Sequence, residues 1–425
     1  MYQTIELGPG VKLRYLHSSR FKQGLLGVQF LRPMCTQEAA LNALLSEVLL
    51  RGCAIAPDLR QITLHLDDLY GAAVGASVRR VGDYQTWGLT CGFVDDRFAL
   101  PGDEVLAPMA DFLRQLLCCP LTEGEGFCKA FVRSEKKNLI SALEAERNDK
   151  QAYAMGKMLN LLCKGDSYAV PRLGNLSQVK KITPQTLYAH YQRTLRESPG
   201  ELFYVGSADL EKVRALTAPL LSGVERDVMT LPPQSGLTAG KPRRKEEIME
   251  ISQAKLAMGF TTPITNRDSR FAAMQLLHIL FGGGMTSKLF LHVREEMGLC
   301  YSVGSAYYAA KGILAVHGGV EPIRCAEAEN AILEQLEACK RGEITLQELE
   351  NARQAVLSSL EAVYDSPGAM ESYFSGMAVG GVDRTPEAYA AEIRAVTLDD
   401  VVAAANTLQY HSIFTLKGES DEAAV

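Results

Sequence analysis

Metal and nucleophile chemistry leave recognisable spacings, and a 425-residue chain can be read for each in turn. Two imidazoles grip zinc from one helix only when they stand about one turn apart on the same face. The seven histidines, His17, His65, His190, His278, His292, His317 and His411, contain no such pair. His278, set among Leu276, Leu277, Ile279 and Leu280, reads as a packed helix residue. The ten cysteines, Cys35, Cys53, Cys91, Cys118, Cys119, Cys128, Cys163, Cys300, Cys325 and Cys339, include no C-x-x-C pair and mostly sit in apolar sequence. They read as reduced core residues rather than as zinc ligands or a redox couple. Gly282-Gly283-Gly284 with Lys288 lacks the Gly-Lys-Ser/Thr ending that meets phosphate and magnesium, so the glycines read as a tight turn. Glu144-Ala145-Glu146 reads as a solvated helix face rather than a paired-carboxylate site.

Composition narrows the partners. A net charge of -6 with 47% hydrophobic and 22% charged residues describes a globular chain with no electrostatic reason to bind nucleic acid or an anionic membrane. Met1 to Arg20 lacks the basic and apolar regions of an export signal, and no apolar run approaches the length of a bilayer span. The expected location is the cytoplasm.

The elements that would position any site occur twice. Gly27-Val28-Gln29-Phe30 and Leu49-Leu50-Arg51-Gly52 match Ala257-Met258-Gly259-Phe260 and Ile279-Leu280-Phe281-Gly282, both 230 residues later. Asn138 to Glu144 parallels Ala355 to Glu361 at an offset of 217, each preceded by a capping-box spelling, Thr122-x-x-Glu125 and Thr345-x-x-Glu348. Ile182-Thr183-Pro184 and the strand Phe203 to Gly206 recur as Val396-Thr397-Leu398 and Phe414 to Gly418. Matches in one order with drifting offset indicate a duplicated domain. Leu25 to Leu31 and Ala257 to Thr262 read as strands. Leu41, Leu44, Leu45, Val48 and Leu49 fall on one helical face, and long amphipathic helices are expected at about 326–340 and 346–362. Strands, then helices, then a late strand predict an α+β fold of two tandem sandwich domains, 1–230 and 246–425. An exposed linker at 231–245 would hold Pro232-Pro233 and the basic Arg243-Arg244-Lys245.

The most specific stretch is Ser287-Lys288-Leu289-Phe290 followed by Val293-Arg294-Glu295-Glu296-Met297-Gly298-Leu299-Cys300-Tyr301-Ser302-Val303. It resembles the S-x-L-F and R-E-x-x-G-L-x-Y-S-V signature of pitrilysin/insulinase-type zinc peptidases, whose tandem domains, of the mitochondrial processing peptidase-like type, enclose a chamber. The resemblance covers essentially the whole chain. Active members carry H-x-x-E-H on the first long helix, two zinc ligands flanking a general base. Aligning Leu49-Leu50-Arg51-Gly52-Cys53 with the family's M-L-F-x-G-T sets that motif on Ala43, Ser46 and Glu47. The distal glutamate ligand falls on Ala142, with Glu144 two residues away. The resemblance therefore implies no bound metal or cofactor in this chain. It also implies a substrate-binding pair, Arg294 and Tyr301, seven residues apart in the matching context, where a guanidinium and a hydroxyl donate to the scissile peptide's carbonyl region. Read without the resemblance, Arg294 pairs with Glu295 or Glu296 on a surface, and Tyr301 is half-buried in a strand.

A lost zinc motif beside a kept Arg–Tyr pair is the division found where this family works as a heterodimer. The expected partner is a zinc-bearing insulinase-like subunit and the expected ligand a peptide; the alternative is a peptide-binding scaffold with no catalytic partner. Some bacterial two-gene members are named as accessories to modification of translation elongation factor P, an association the resemblance extends to this chain.

Overall fold

The computed structural model describes residues 2–237 and 240–418. Its frame is two sheets, each built outward from a strand that is apolar on both faces. In the first, Gln23–Pro33 (β3) has Leu26, Val28 and Phe30 fully buried on one side while Leu25 and Leu31 are covered on the other. Such two-sided burial requires a layer of structure on each face of the sheet. Around it stand Tyr2–Gly8 (β1), Val11–His17 (β2), Ala73–Val81 (β4), Tyr84–Val94 (β5) and Gly200–Gly206 (β8), in the order β1-β2-β8-β3-β5-β4. The second sheet consists of Arg243–Ile248 (β9), Ala254–Thr261 (β10), Cys300–Tyr308 (β11), Ile313–Val320 (β12) and Gln409–Lys417 (β13), in the order β11-β12-β10-β13-β9. Thr122–Glu123 (β6) and Gly126–Phe127 (β7) form a separate short hairpin.

Substituting β9, β13, β10, β12 and β11 for β2, β8, β3, β5 and β4 converts five strands of the first sheet into the second, leaving only edge strand β1 without a counterpart. The single parallel contact in each is β2 with β8 and β9 with β13; every other neighbouring pair is antiparallel. The repeat extends to register. Gly27 stands opposite Phe203 and Ala257 opposite Phe414, so the residues matched in sequence are also paired alike. The α+β duplication read from sequence is the observed fold.

The helices are, in chain order, Ala39–Leu49 (α1), Leu59–Asp68 (α2), Leu106–Cys118 (α3), Lys129–Ala145 (α4), Lys150–Leu162 (α5), Leu176–Lys181 (α6), Pro184–Glu197 (α7), Leu210–Thr217 (α8), Phe271–Gly282 (α9), Cys325–Lys340 (α10), Leu346–Glu361 (α11), Pro367–Gly380 (α12), Pro386–Ala395 (α13) and Leu398–Ala405 (α14). On α1, Leu44, Leu45, Val48 and Leu49 of the expected face are buried and Leu41 is half-buried, but Ala39, Ala40, Asn42, Ala43 and Ser46 are buried as well, so the helix is covered nearly all round. Thr183, Thr345 and Thr397 each cap a helix reciprocally with the residue three positions on, satisfying N–H groups that the first turn leaves without partners. Thr122 does not cap a helix. Gly124, at φ +64°, turns the chain into the β6–β7 hairpin, and α4 begins only at Lys129, whose N–H donates to the Glu123 carboxylate at 3.2 Å. The helix is delayed because a left-handed glycine sits where the capping box needs a helical residue.

Two compact units result, but they do not follow the contiguous halves 1–230 and 246–425. One comprises Met1–Leu143, Val170–Pro233 and Tyr364–Val379, the other Glu144–Ala169, Gln234–Val363 and Gly380–Val425. Each half of the sequence thus lends one helical segment to the other half's unit. In the first unit, α12 covers the sheet through Met370 and Phe374, which pack on Leu16, Leu25 and Val205, with the Phe374 ring stacked 4.6 Å from Tyr2. Glu371, 2% exposed, accepts from Gln29 Nε2 at 2.8 Å and from both terminal nitrogens of Arg79 at 3.0 and 2.7 Å. In the second unit, α5 packs Met158 and Leu162 over Gly259 of β10, where a Cβ would collide with both. Lys311, with no exposed surface, reaches Asp166 at 3.0 Å. Composition marks polar junctions, but which sheet an apolar helix covers is a tertiary matter. The expected linker is shorter for the same reason: Arg243, Arg244 and Lys245 open edge strand β9, with Arg244 paired to Glu329 at 2.5 Å.

The structure contains no disulfide among the described cysteines. Cys53, Cys91, Cys163, Cys300, Cys325 and Cys339 are buried, and burial pushes the Cys91 thiol up to about 12. No described helix is long and apolar enough to cross a membrane.

Candidate functional site

On α1, Ala43 and Ser46 face the core while Glu47 emerges at the surface. The Ser46 hydroxyl is buried with no hydrogen-bond partner among the described residues. Partial burial raises the Glu47 carboxyl above its usual range, and nearby Glu135 of α4 adds to the shift. Glu135 is itself buried, paired to Arg51 at 3.3 Å and accepting from Asn138 Nδ2 at 2.9 Å. Ala142 lies exposed two turns further along α4, as does Glu144. Sequence reading passed over Glu135; its signal was a lone acid on the helix face that also carries buried Val132. Zinc needs three or four N, S or O donors converging at about 2 Å. Two methyl side chains, an isolated hydroxyl and one surface carboxylate do not supply them, so the donor set does not fit the metal. Among the described residues no group of three or more His, Cys, Asp or Glu side chains is arranged to hold one.

The next polar residue of α1 is committed to the interior. Asn42 Oδ1 is 2.7 Å from His190 Nε2, and Asn42 Nδ2 donates to Gln85 Oε1 at 2.8 Å. Gln85 Nε2 in turn donates to the Ala39 carbonyl at 3.1 Å, and Arg193 Nη2 lies 3.0 Å from His190 Nδ1. Burial holds the His190 imidazole down at about 4, hence neutral at pH 7. In that state Nε2–H donates to Asn42 while Nδ1 accepts from Arg193.

Arg294 and Tyr301 are brought together in the second unit. The chain leaves α9 at Gly283, where a Cβ would lie 2.7 Å from the Ile279 Cα, and Ser287 Oγ donates back to the Gly284 carbonyl at 2.6 Å. Lys288, 5% exposed, pairs with Glu348 of α11 at 2.7 Å. It thereby anchors the start of a π-helix, Leu289–Glu296. Continuous π-helix is rare and concentrates at functional sites. Gly298, at φ +61°, then turns the chain into β11.

The Arg294 guanidinium lies 4.6 Å over the Phe290 ring, donates from Nε to the Tyr301 carbonyl at 3.0 Å and pairs through Nη1 with Glu295 at 2.9 Å. Its Nη2 has no partner among the described residues. Tyr301 occupies the register shift between Cys300 and Ser302, a bulge of the kind that re-aims a side chain. It is 62% exposed, so it is not the half-buried strand residue expected without the resemblance, and its hydroxyl reaches Glu321 at 3.3 Å. One guanidinium nitrogen and one weakly held phenol can therefore donate to an incoming carbonyl. His278 is packed, with Nε2 3.1 Å from the Ser305 carbonyl and its imidazole shifted down by burial.

Residues 181–356 match the family model described as the peptidase M16 inactive domain. Over 96% of both chains the protein is 27% identical to "Probable inactive metalloprotease YmfF" of Bacillus subtilis (strain 168). Among solved structures, a conserved protein from Enterococcus faecalis V583 superposes with a TM-score of 0.92 at 25% identity, covering 99% of each chain. A peptidase M16 inactive domain from Pseudomonas fluorescens gives 0.82 at 17% identity, over 99% of this chain and 98% of that one.

Proposed function

For a chain that belongs to the pitrilysin/insulinase-type (M16) metallopeptidase family as an inactive homologue, we propose the role of substrate-gripping subunit in a heterodimeric peptidase whose zinc and general base come from a partner of the same fold. One observation carries the reading. The positions aligned with the zinc motif, Ala43, Ser46, Glu47 and Ala142, offer no ligand set, whereas Arg294 and Tyr301 are adjacent and each retains a donor for a peptide carbonyl. Donors fixed before substrate arrives stabilise charge developing on that oxygen without reorganisation. The reading includes a cytoplasmic setting and, through the family resemblance alone, a link to elongation factor P modification.

The test is reconstitution with a zinc-bearing M16 partner from the same genome. Alone, the purified chain should retain no stoichiometric zinc after chelator dialysis, by elemental analysis. In the complex, Arg294→Ala and Tyr301→Phe should leave assembly intact and lower kcat more than they raise KM. Each loss should approach roughly 2.7 to 4 kcal/mol for a fully engaged oxyanion donor. A second reading, a peptide-binding scaffold without a catalytic partner, draws on the Arg294–Glu295 pair. Turnover unchanged by both substitutions would favour it.

A further inference from the structure

The first unit carries a groove whose chemistry the Arg294–Tyr301 reading does not use. Its floor is apolar, made by Val132 and Ile140 of α4 with Ile182, the residue before the α7 cap, and it encloses about 470 Å³. Along one rim run Lys129, Arg133 and Lys137, at i, i+4 and i+8 of α4, a stripe spanning about 12 Å at 1.5 Å per residue. All three are exposed. Lys129 has only a long, solvent-exposed contact to Glu123 at 3.6 Å, and Arg133 and Lys137 have no ion-pair partner among the described residues. Lys136 Nζ, also on α4, donates to the Lys180 and Ile182 carbonyls at 3.0 and 2.6 Å, tying α4 to the segment before α7. Lys180 and Lys181 add two exposed cations in the same segment. The one acid inside this stretch of α4, Glu135, is buried and engaged with Arg51. A chain of net charge -6 therefore concentrates uncompensated positive charge around an apolar trough.

We propose that this groove docks an acidic, amphipathic protein segment: apolar side chains fill the trough over Val132, Ile140 and Ile182, while carboxylates spaced at helical intervals meet Lys129, Arg133 and Lys137. Charge complementarity selects the sign of the partner, since carboxylates gain most from Arg133 and Lys137, which have no counter-charge among the described residues. The apolar floor selects a polypeptide over a nucleic acid, whose phosphate backbone needs cations but gains nothing from a trough lined by aliphatic groups. The assignment is independent of the Arg294–Tyr301 reading and survives if that reading fails.

Fluorescence anisotropy of the full chain with a labelled, short helical peptide bearing Glu on one face and Leu on the other decides the matter. Saturable binding is expected, weakening as salt is raised, because the Debye length shrinks below the spacing of the charges. The double variant Arg133→Glu, Lys137→Glu, both on exposed positions and checked for an unchanged melting temperature, should weaken binding at least about tenfold. It should also bind a peptide with Lys in place of Glu more tightly than the parent chain does. Replacing the peptide's Leu residues by Ser should abolish binding. Equal affinity for the Ser peptide, equal affinity for a single-stranded oligonucleotide of matching charge, or indifference to the charge reversal would each overturn the proposal.

Discussion

The two units share five strands in the same order and direction, yet the segment after the central strand is used in opposite ways. After β3, α1 turns its polar atoms inward, where Asn42, His190 and Gln85 satisfy one another, and α2 follows as an ordinary helix capped by Asp58. After β10, α9 runs through glycines into a π-helix, and Arg294 and Tyr301 end at the surface with donors to spare. A duplicated scaffold dictates where a helix goes; it leaves open whether that helix's polar atoms face each other or a ligand.

The strongest way to break this parallel is through the ion pairs that fasten the exchanged helices. Lys311→Ala strands Asp166 beside a fully buried cavity and should cost roughly 3 to 5 kcal/mol in urea unfolding. Arg79→Ala, at a guanidinium about one third exposed, should cost less, roughly 1 to 2 kcal/mol, because Gln29 Nε2 still donates to the Glu371 carboxylate. Equal losses would mean that the two fastenings do the same job.

Acid should weaken the first unit next, through His190. Burial lowers the His190 imidazole from 6.5 to about 4, so the unfolded chain binds the proton more readily than the folded one. The corresponding stability is complete above pH 6.5 and is lost as pH falls toward 4, by roughly 2 to 3 kcal/mol. His190→Gln should reduce that slope in a pH series of melts, the remainder belonging to His278 and the other imidazoles that burial lowers, and an unchanged slope would assign it elsewhere. Smaller still are the equivalent caps. Thr183→Ala in one unit and Thr397→Ala in the other should each lose about 1 kcal/mol, and a marked inequality would show that the repeat is not energetic. Least of all, Arg294→Ala should shift stability by less than about 0.5 kcal/mol in thermal melts, as expected for a partly exposed side chain. A larger loss would make it a structural residue.

What could be read in advance follows the range of the forces involved. The helix start at Thr345 was legible because capping is settled within four residues. The strands were legible because Gly27 and Ala257 sit in runs too apolar to face water. The hairpin at Gly124 was missed because the same four letters that spell a cap also permit a turn when one is glycine. At the candidate site, Arg294 and Tyr301 could be named, but the bulge is set by pairing with β12 and the π-helix starts beside Lys288, whose partner Glu348 lies 60 residues on, so neither leaves a local trace. Glu135 was hidden for a related reason: a buried acid looks like any other until its arginine is located.

The exchange of helices also sets an order of manufacture. Gln29 and its partner Glu371 are separated by 342 residues, so a growing chain emerging from the ribosome presents Leu16, Leu25 and Val205 long before the helix that covers them exists. At roughly 5 to 20 residues per second that apolar sheet face waits on the order of tens of seconds. A gene cut at the middle of the repeat would release a first half with that face permanently bare. Residues 1–230 made alone should therefore aggregate more readily than the full chain, measured as the soluble fraction of each on expression.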